Sequence, residues 1–162
     1  LGILLQIMLK FVLPGLAVVV LCGCGQGAPR QFPPDRPVWS TTSDGGRARL
    51  SYGLPNSDTV ALAIECRPRS GRVTVTAPLQ PGASRLFLAS GAAIREIAGR
   101  TEPDPEAGLT LVAAGAGVRD SVLAAFARTG RLLRVDPGGV TALTASADEL
   151  ARVRGFLDLC AA

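Results

Sequence analysis

A chain of 162 residues, 48% of them hydrophobic, is long enough to bury one core and too apolar to stay unfolded throughout. Its formal net charge is +4, and it has no histidine, which excludes Ser-His-Asp and Cys-His catalysis and most transition-metal sites. Of its 17 basic residues only Lys10 is a lysine, and the arginines run from Arg30 to Arg154 without a dense cluster, so no nucleic-acid partner is expected.

In chain order, Met8-Leu9-Lys10 gives a short positive start, Phe11 to Val20 an apolar stretch, and Leu21-Cys22-Gly23-Cys24 its end. This is the three-part form of a secretory signal. The apolar run falls short of the roughly 20 residues that span a bilayer, and the longer count back to Ile3 is interrupted by Lys10 and Pro14-Gly15. Residues 1–23 are therefore expected to be removed, and residues 1–7 to lie upstream of a true start at Met8.

Leu21 to Cys24 resembles the lipobox of bacterial lipoproteins, with Leu21 three positions before the cysteine and the small Gly23 directly before it. The resemblance implies cleavage before Cys24, a diacylglycerol on its thiol and a third acyl chain on the new amino end. Several chains anchor stably where one anchors marginally. Cys22 is a rival target, but Leu21 before it is too large for the cut. Gly25, in place of the Asp that commonly retains Gram-negative lipoproteins at the inner membrane, implies an outer-membrane lipoprotein whose domain faces the periplasm.

Residues 24–37 carry four prolines, Pro29, Pro33, Pro34 and Pro37, which forbid a helix and predict an extended tether. At about 3.3 Å per residue it reaches up to about 40 Å.

Residues 38–162 read as a single α+β domain, mainly an antiparallel sheet with two helices in the C-terminal third. Strands are expected at Val38 to Thr42 and Arg47 to Gly53, around the hairpin signal Ser43-Asp44-Gly45-Gly46. Alternation continues through Thr59 to Cys66, Arg72 to Ala77, Arg85 to Ala89, Ala93 to Ile97 and Leu109 to Ala113. Asp120 to Arg128 has helical spacing and stops at Gly130. Arg131 to Val135 and Val140 to Thr144 bracket the turn Asp136-Pro137-Gly138-Gly139. Ser146 and Glu149 have capping-box spacing and open a last helix, expected to dock its stripe of Leu150, Val153, Phe156, Leu157 and Cys160 on the sheet.

With the signal removed and Cys24 acylated, Cys66 and Cys160 are the remaining thiols, each in phase with the apolar face of its element. An oxidising periplasm would pair them if their backbones come close enough; otherwise they are two buried core thiols. A redox or metal role is disfavoured, because no Cys-x-x-Cys occurs and zinc takes three or four ligands.

Gly115-Ala116-Gly117 before the first helix reads as an ordinary loop rather than a phosphate cradle. Glu102, Asp104 and Glu106, interleaved with Pro103 and Pro105, read as a solvated surface loop and at best a weak calcium contact. Trp39 and Tyr52 could face a sugar or peptidoglycan, but on alternating strands they read as core. The tail of Phe126, Thr129-Gly130, Phe156 and Cys160 is loosely similar to small uncharacterised exported proteins of Gram-negative bacteria, which carry no activity to transfer.

The functional expectation is a non-catalytic envelope lipoprotein without a cofactor, held to the membrane by its anchor, whose sheet binds another protein or an envelope polymer such as peptidoglycan. Two alternatives stand beside it. One is an inhibitor of a host hydrolase such as lysozyme, on similarity of layout; the other is a carboxylate-dependent hydrolase using Glu102 and Asp104.

Overall fold

Strand after strand, burial alternates residue by residue and sorts the side chains toward one shared interior. The computed structural model describes residues 36–80, 83–104 and 108–162, all within one compact unit. The signal segment, Cys22, Cys24, the tether up to Asp35, and Glu106 lie outside the described residues.

The first hairpin joins β1 (Val38–Asp44) to β2 (Arg47–Gly53) through Gly45 and Gly46, whose φ values of 54° and 75° are both left-handed. A two-residue turn with that geometry matches the twist of the flanking strands, and glycine adopts it without steric cost. β3 (Val60–Cys66), β4 (Arg72–Leu79), β5 (Arg85–Ser90), β6 (Ala93–Ala98), β7 (Arg100–Asp104) and β8 (Gly108–Gly117) follow. The chain ends with α1 (Ser121–Thr129), β9 (Arg131–Asp136), β10 (Gly139–Thr144) and α2 (Ala147–Cys160).

The strands form a six-stranded sheet in the order β1-β2-β3-β4-β8-β7 and a four-stranded sheet in the order β10-β9-β5-β6, every pairing antiparallel. The expected α+β class holds, and α2 docks on β1 and β2 while α1 lies against β5 and β6.

Two stretches differ from the sequence reading. The segment of Glu102 and Asp104 is not a loop: β7 forms the edge of the six-stranded sheet, with Glu102 opposite Thr110 and Asp104 opposite Gly108. An edge is where a strand tolerates Pro103, because an outer strand needs only one set of ladder bonds. Gly115-Ala116-Gly117 is not a loop either. It ends β8, and the register steps from Ala114 opposite Thr74 to Ala116 opposite Val73, so Gly115 is the extra residue of a β-bulge.

The interior is a single cluster fed by both sheets and both helices. Leu50, Leu62, Ile64, Val73, Val75 and Leu111 come from the six-stranded sheet, Leu86, Leu88, Ile97, Leu132 and Leu143 from the other, and Phe126, Val153 and Phe156 from the helices. Trp39 is fully buried, its ring 4.9 Å from Phe126 and 5.1 Å from Tyr52. Burying each such side chain contributes about 1.5–3 kcal/mol.

Both helices start on side-chain caps that include a carboxylate paired with an arginine outside the helix. Asp120 accepts from the Val122 N–H at 3.0 Å and pairs with Arg95 on β6. The Ser146 hydroxyl and the Glu149 carboxylate form a reciprocal capping box, and buried Glu149 also holds Arg36 at 3.2 Å.

One charged residue ties the sheets together. β3 and β4 pair at Ala63–Glu65 and Thr74–Thr76, and the same register would set Ala61 opposite Pro78. Pro78 has no N–H to donate, so the ladder cannot continue there. Arg134 on β9 fills the gap. Its guanidinium donates to the carbonyls of Ala61, at 2.7 Å, and Pro78, while its Nε donates to Asp136 at 2.8 Å. Arg134 is 9% exposed, so the orphaned carbonyls and the buried charge satisfy each other.

Arg134→Ala is expected to lower stability by about 3–5 kcal/mol, because it leaves the largely covered Asp136 carboxylate with only the Gly138 N–H and strands the Ala61 and Pro78 carbonyls. Arg134→Lys should recover only part, since an ammonium lacks the planar fork. Urea denaturation of the three proteins measures both, and an Arg134→Ala midpoint equal to that of the parent would refute the role.

Candidate functional site

Cys66 closes β3 and Cys160 closes α2; the two form a disulfide with Cα atoms 5.8 Å apart across a sequence separation of 94. That separation lies inside the range a disulfide spans without moving the backbone. The turn following Cys66 is pinned to the same helix end. The Arg69 N–H donates to the Leu159 carbonyl and the Gly71 N–H to the Cys160 carbonyl, both at 2.9 Å. These bonds satisfy two carbonyls that α2 cannot satisfy internally. Pro68 and the positive φ of Arg69, 58°, fit the second and third positions of a type II turn, closed by the Ser70 N–H on the Arg67 carbonyl at 3.1 Å.

That pinned turn forms one wall of an open groove of about 460 Å³ on the outer face of the six-stranded sheet. Arg47, Arg67, Arg72 and Arg100 line it, with Thr74 and Thr76 beneath. Cross-strand register explains the gathering. Ala48 stands opposite Cys66, so that register, continued by one residue, sets Arg47 beside Arg67 at the start of the turn after β3; Glu65 stands opposite Thr74, and the same continuation brings Arg67 beside Arg72. Arginines that look scattered in the sequence thus gather in one row, on β2, on the turn after β3 and on β4.

Their pairing differs. Arg49 engages Glu65 at 3.2 Å and Arg100 engages Glu102 at 2.7 Å. Arg47, Arg67 and Arg72 have no carboxylate within 4.0 Å among the described residues.

The outer face of the four-stranded sheet has the opposite chemistry. Ile94, Ala89, Leu133 and Ala142 form one cross-strand row, and Phe87, Val135 and Val140 form the next with Glu96 at its end. Ile94 is 70% and Val140 65% exposed. An apolar face of this extent in water is a feature of interaction surfaces more than of solvated ones.

The residues singled out from the sequence fall as follows. Cys66 and Cys160 come together. Glu102 is exposed and paired with Arg100 on the outer side of β7, Asp104 closes that strand, and Glu106 lies outside the described residues, as does Cys24. Trp39 points into the core with the Tyr52 ring tilted against it, so Trp39 offers no sugar platform. No group of three or more His, Cys, Asp or Glu is placed to hold a metal ion among the described residues. No described helix is long and apolar enough to cross a membrane. The arginine row and the apolar face escaped the sequence reading, although the alternation of Arg47 and Arg49 with Ala48 and Leu50 already marked one side of β2 as wet.

No family model, no curated protein and no solved structure matches the chain.

Replacing Cys66 and Cys160 by serine is expected to cost about 2–5 kcal/mol. Because the turn is held from the same place, amide exchange at Arg69 and Gly71 should accelerate more than at β9. Equal protection in the parent and the double variant would contradict this coupling.

Proposed function

We propose that the chain is an exported lipoprotein, cut before Cys24, acylated there, and carrying a non-catalytic binding domain on the periplasmic side of the outer membrane. The observation that carries this reading is the Cys66–Cys160 disulfide. Such bonds persist in oxidising compartments and are rare in the cytosol. The signal-like segment ahead of Cys24 supplies the route, and the proline-rich residues 24–37 supply reach from the bilayer.

The binding role is favoured by the two unlike outer faces. A protein partner with its own apolar surface fits the face of Phe87, Ile94, Leu133 and Val140, where removing these side chains from water drives association.

Intact mass of the product purified from membranes tests the placement. The expected species starts at Cys24, carries acyl chains and lacks two hydrogens at the disulfide; an uncut chain with an unmodified Cys24 would overturn the reading. For the partner face, a photoreactive residue at position 94 should cross-link one discrete protein in intact cells, and Val140→Glu should abolish that adduct. Because Ile94 and Val140 are exposed, Val140→Glu should leave stability within about 0.5 kcal/mol. Labelling that ignores Val140→Glu would remove the face from the account.

A further inference from the structure

We propose that Arg47, Arg67 and Arg72 form a binding site for a phosphate-bearing ligand. The inference stands on the arginine row itself and does not depend on the anchor or on the partner face.

Like charges placed directly opposite each other destabilise a sheet. Asp44 stands opposite Arg47 without an ion pair, and Arg47, Arg67 and Arg72 follow in one row, none with a carboxylate within 4.0 Å among the described residues, so their mutual repulsion works against the fold that displays them. Of the other outward arginines on the strands, Arg49 pairs with Glu65, Arg85 with Glu96, Arg95 with Asp120 and Arg100 with Glu102, while Arg131 stands opposite Thr144 rather than another arginine. An anion that enters the groove relieves the repulsion and supplies the missing counter-charge.

The arrangement selects the kind of anion. Neighbouring strands stand about 4.8 Å apart, so the row spans about 10 Å from Arg47 to Arg72. Each guanidinium presents a planar fork that matches the oxygens of phosphate. A lone carboxylate has two oxygens and cannot meet three forks, whereas a terminal phosphate has three oxygens and up to two negative charges, and a diphosphate reaches further along the row. The Thr74 hydroxyl, beside the row, adds a neutral donor. Glu65 also lines the groove, but its charge is held by Arg49 at 3.2 Å. The footprint takes one or two phosphates, well short of the roughly six to ten contacts of a duplex-tracking protein.

The wall is built before the ligand arrives. Arg67 follows Cys66 directly and Arg72 follows Gly71, so the disulfide and the Gly71 bond to Cys160 fix the backbone at both. Preorganisation of this kind lowers the ordering cost of binding.

Calorimetry on the full chain in a neutral detergent, with inorganic pyrophosphate and dihexanoyl phosphatidic acid as the two probes, tests the site. Pyrophosphate should bind, and the double variant Arg67→Gln, Arg72→Gln should weaken it by about tenfold or more. Arg131→Gln, on the other sheet, should change nothing. All these arginines are exposed, so the variants should fold, and circular dichroism checks that they do. Tighter binding of the phosphatidic acid than of pyrophosphate identifies a lipid headgroup as the source; equal or weaker binding identifies a soluble phosphate. Absence of binding by both probes, or equal loss in Arg131→Gln, overturns the proposal.

Discussion

The Cys66–Cys160 bond is the constraint from which the rest of the molecule takes its form. It joins the end of a central strand to the last residue of the chain's final helix, and it closes a long loop whose restriction is worth about 4 to 5 kcal/mol in the chain-entropy model. Its reach extends past stability. The turn that follows Cys66 is bonded to the same helix end, and that turn carries Arg67, so the covalent link also shapes the groove. Fold and candidate site thus meet at one pair of sulfurs.

A second constraint works between the sheets. Pro78 interrupts the ladder between β3 and β4, and the carbonyls it strands are taken by Arg134 from the opposite sheet. A break in one layer becomes the docking point of the other. With the two inner faces committed in this way, chemistry is left to the outer faces, one lined with arginine and threonine, the other with Phe87, Ile94 and Val140.

Much of this architecture was legible from local signals. The Gly45-Gly46 turn, the Ser146 and Glu149 capping box and the Gly130 stop each follow from the physics of a few neighbouring residues, and they fall where the sequence puts them. The pairing of Cys66 with Cys160 needed the assumption that their elements pack together, which their apolar phases suggested. What could not be read is what depends on register between strands. β7 was hidden because Pro103 and three carboxylates resemble a loop, and only its place at an edge makes a strand tolerable there. Nothing in the run Arg131 to Val135 marks Arg134 as an inward residue, and its role appears only beside the gap at Pro78. The arginine row likewise exists only once β2, β3 and β4 are aligned.

A domain that folds with Cys66 and Cys160 joined, in the oxidising compartment proposed for it, leaves neither thiol open to alkylation in the cell. Acid-quenching living cells, alkylating free thiols and mapping the modified peptides before and after reduction tests it directly. Cys66 and Cys160 should resist alkylation until a reductant is added; label on both in the unreduced sample would rule the disulfide out.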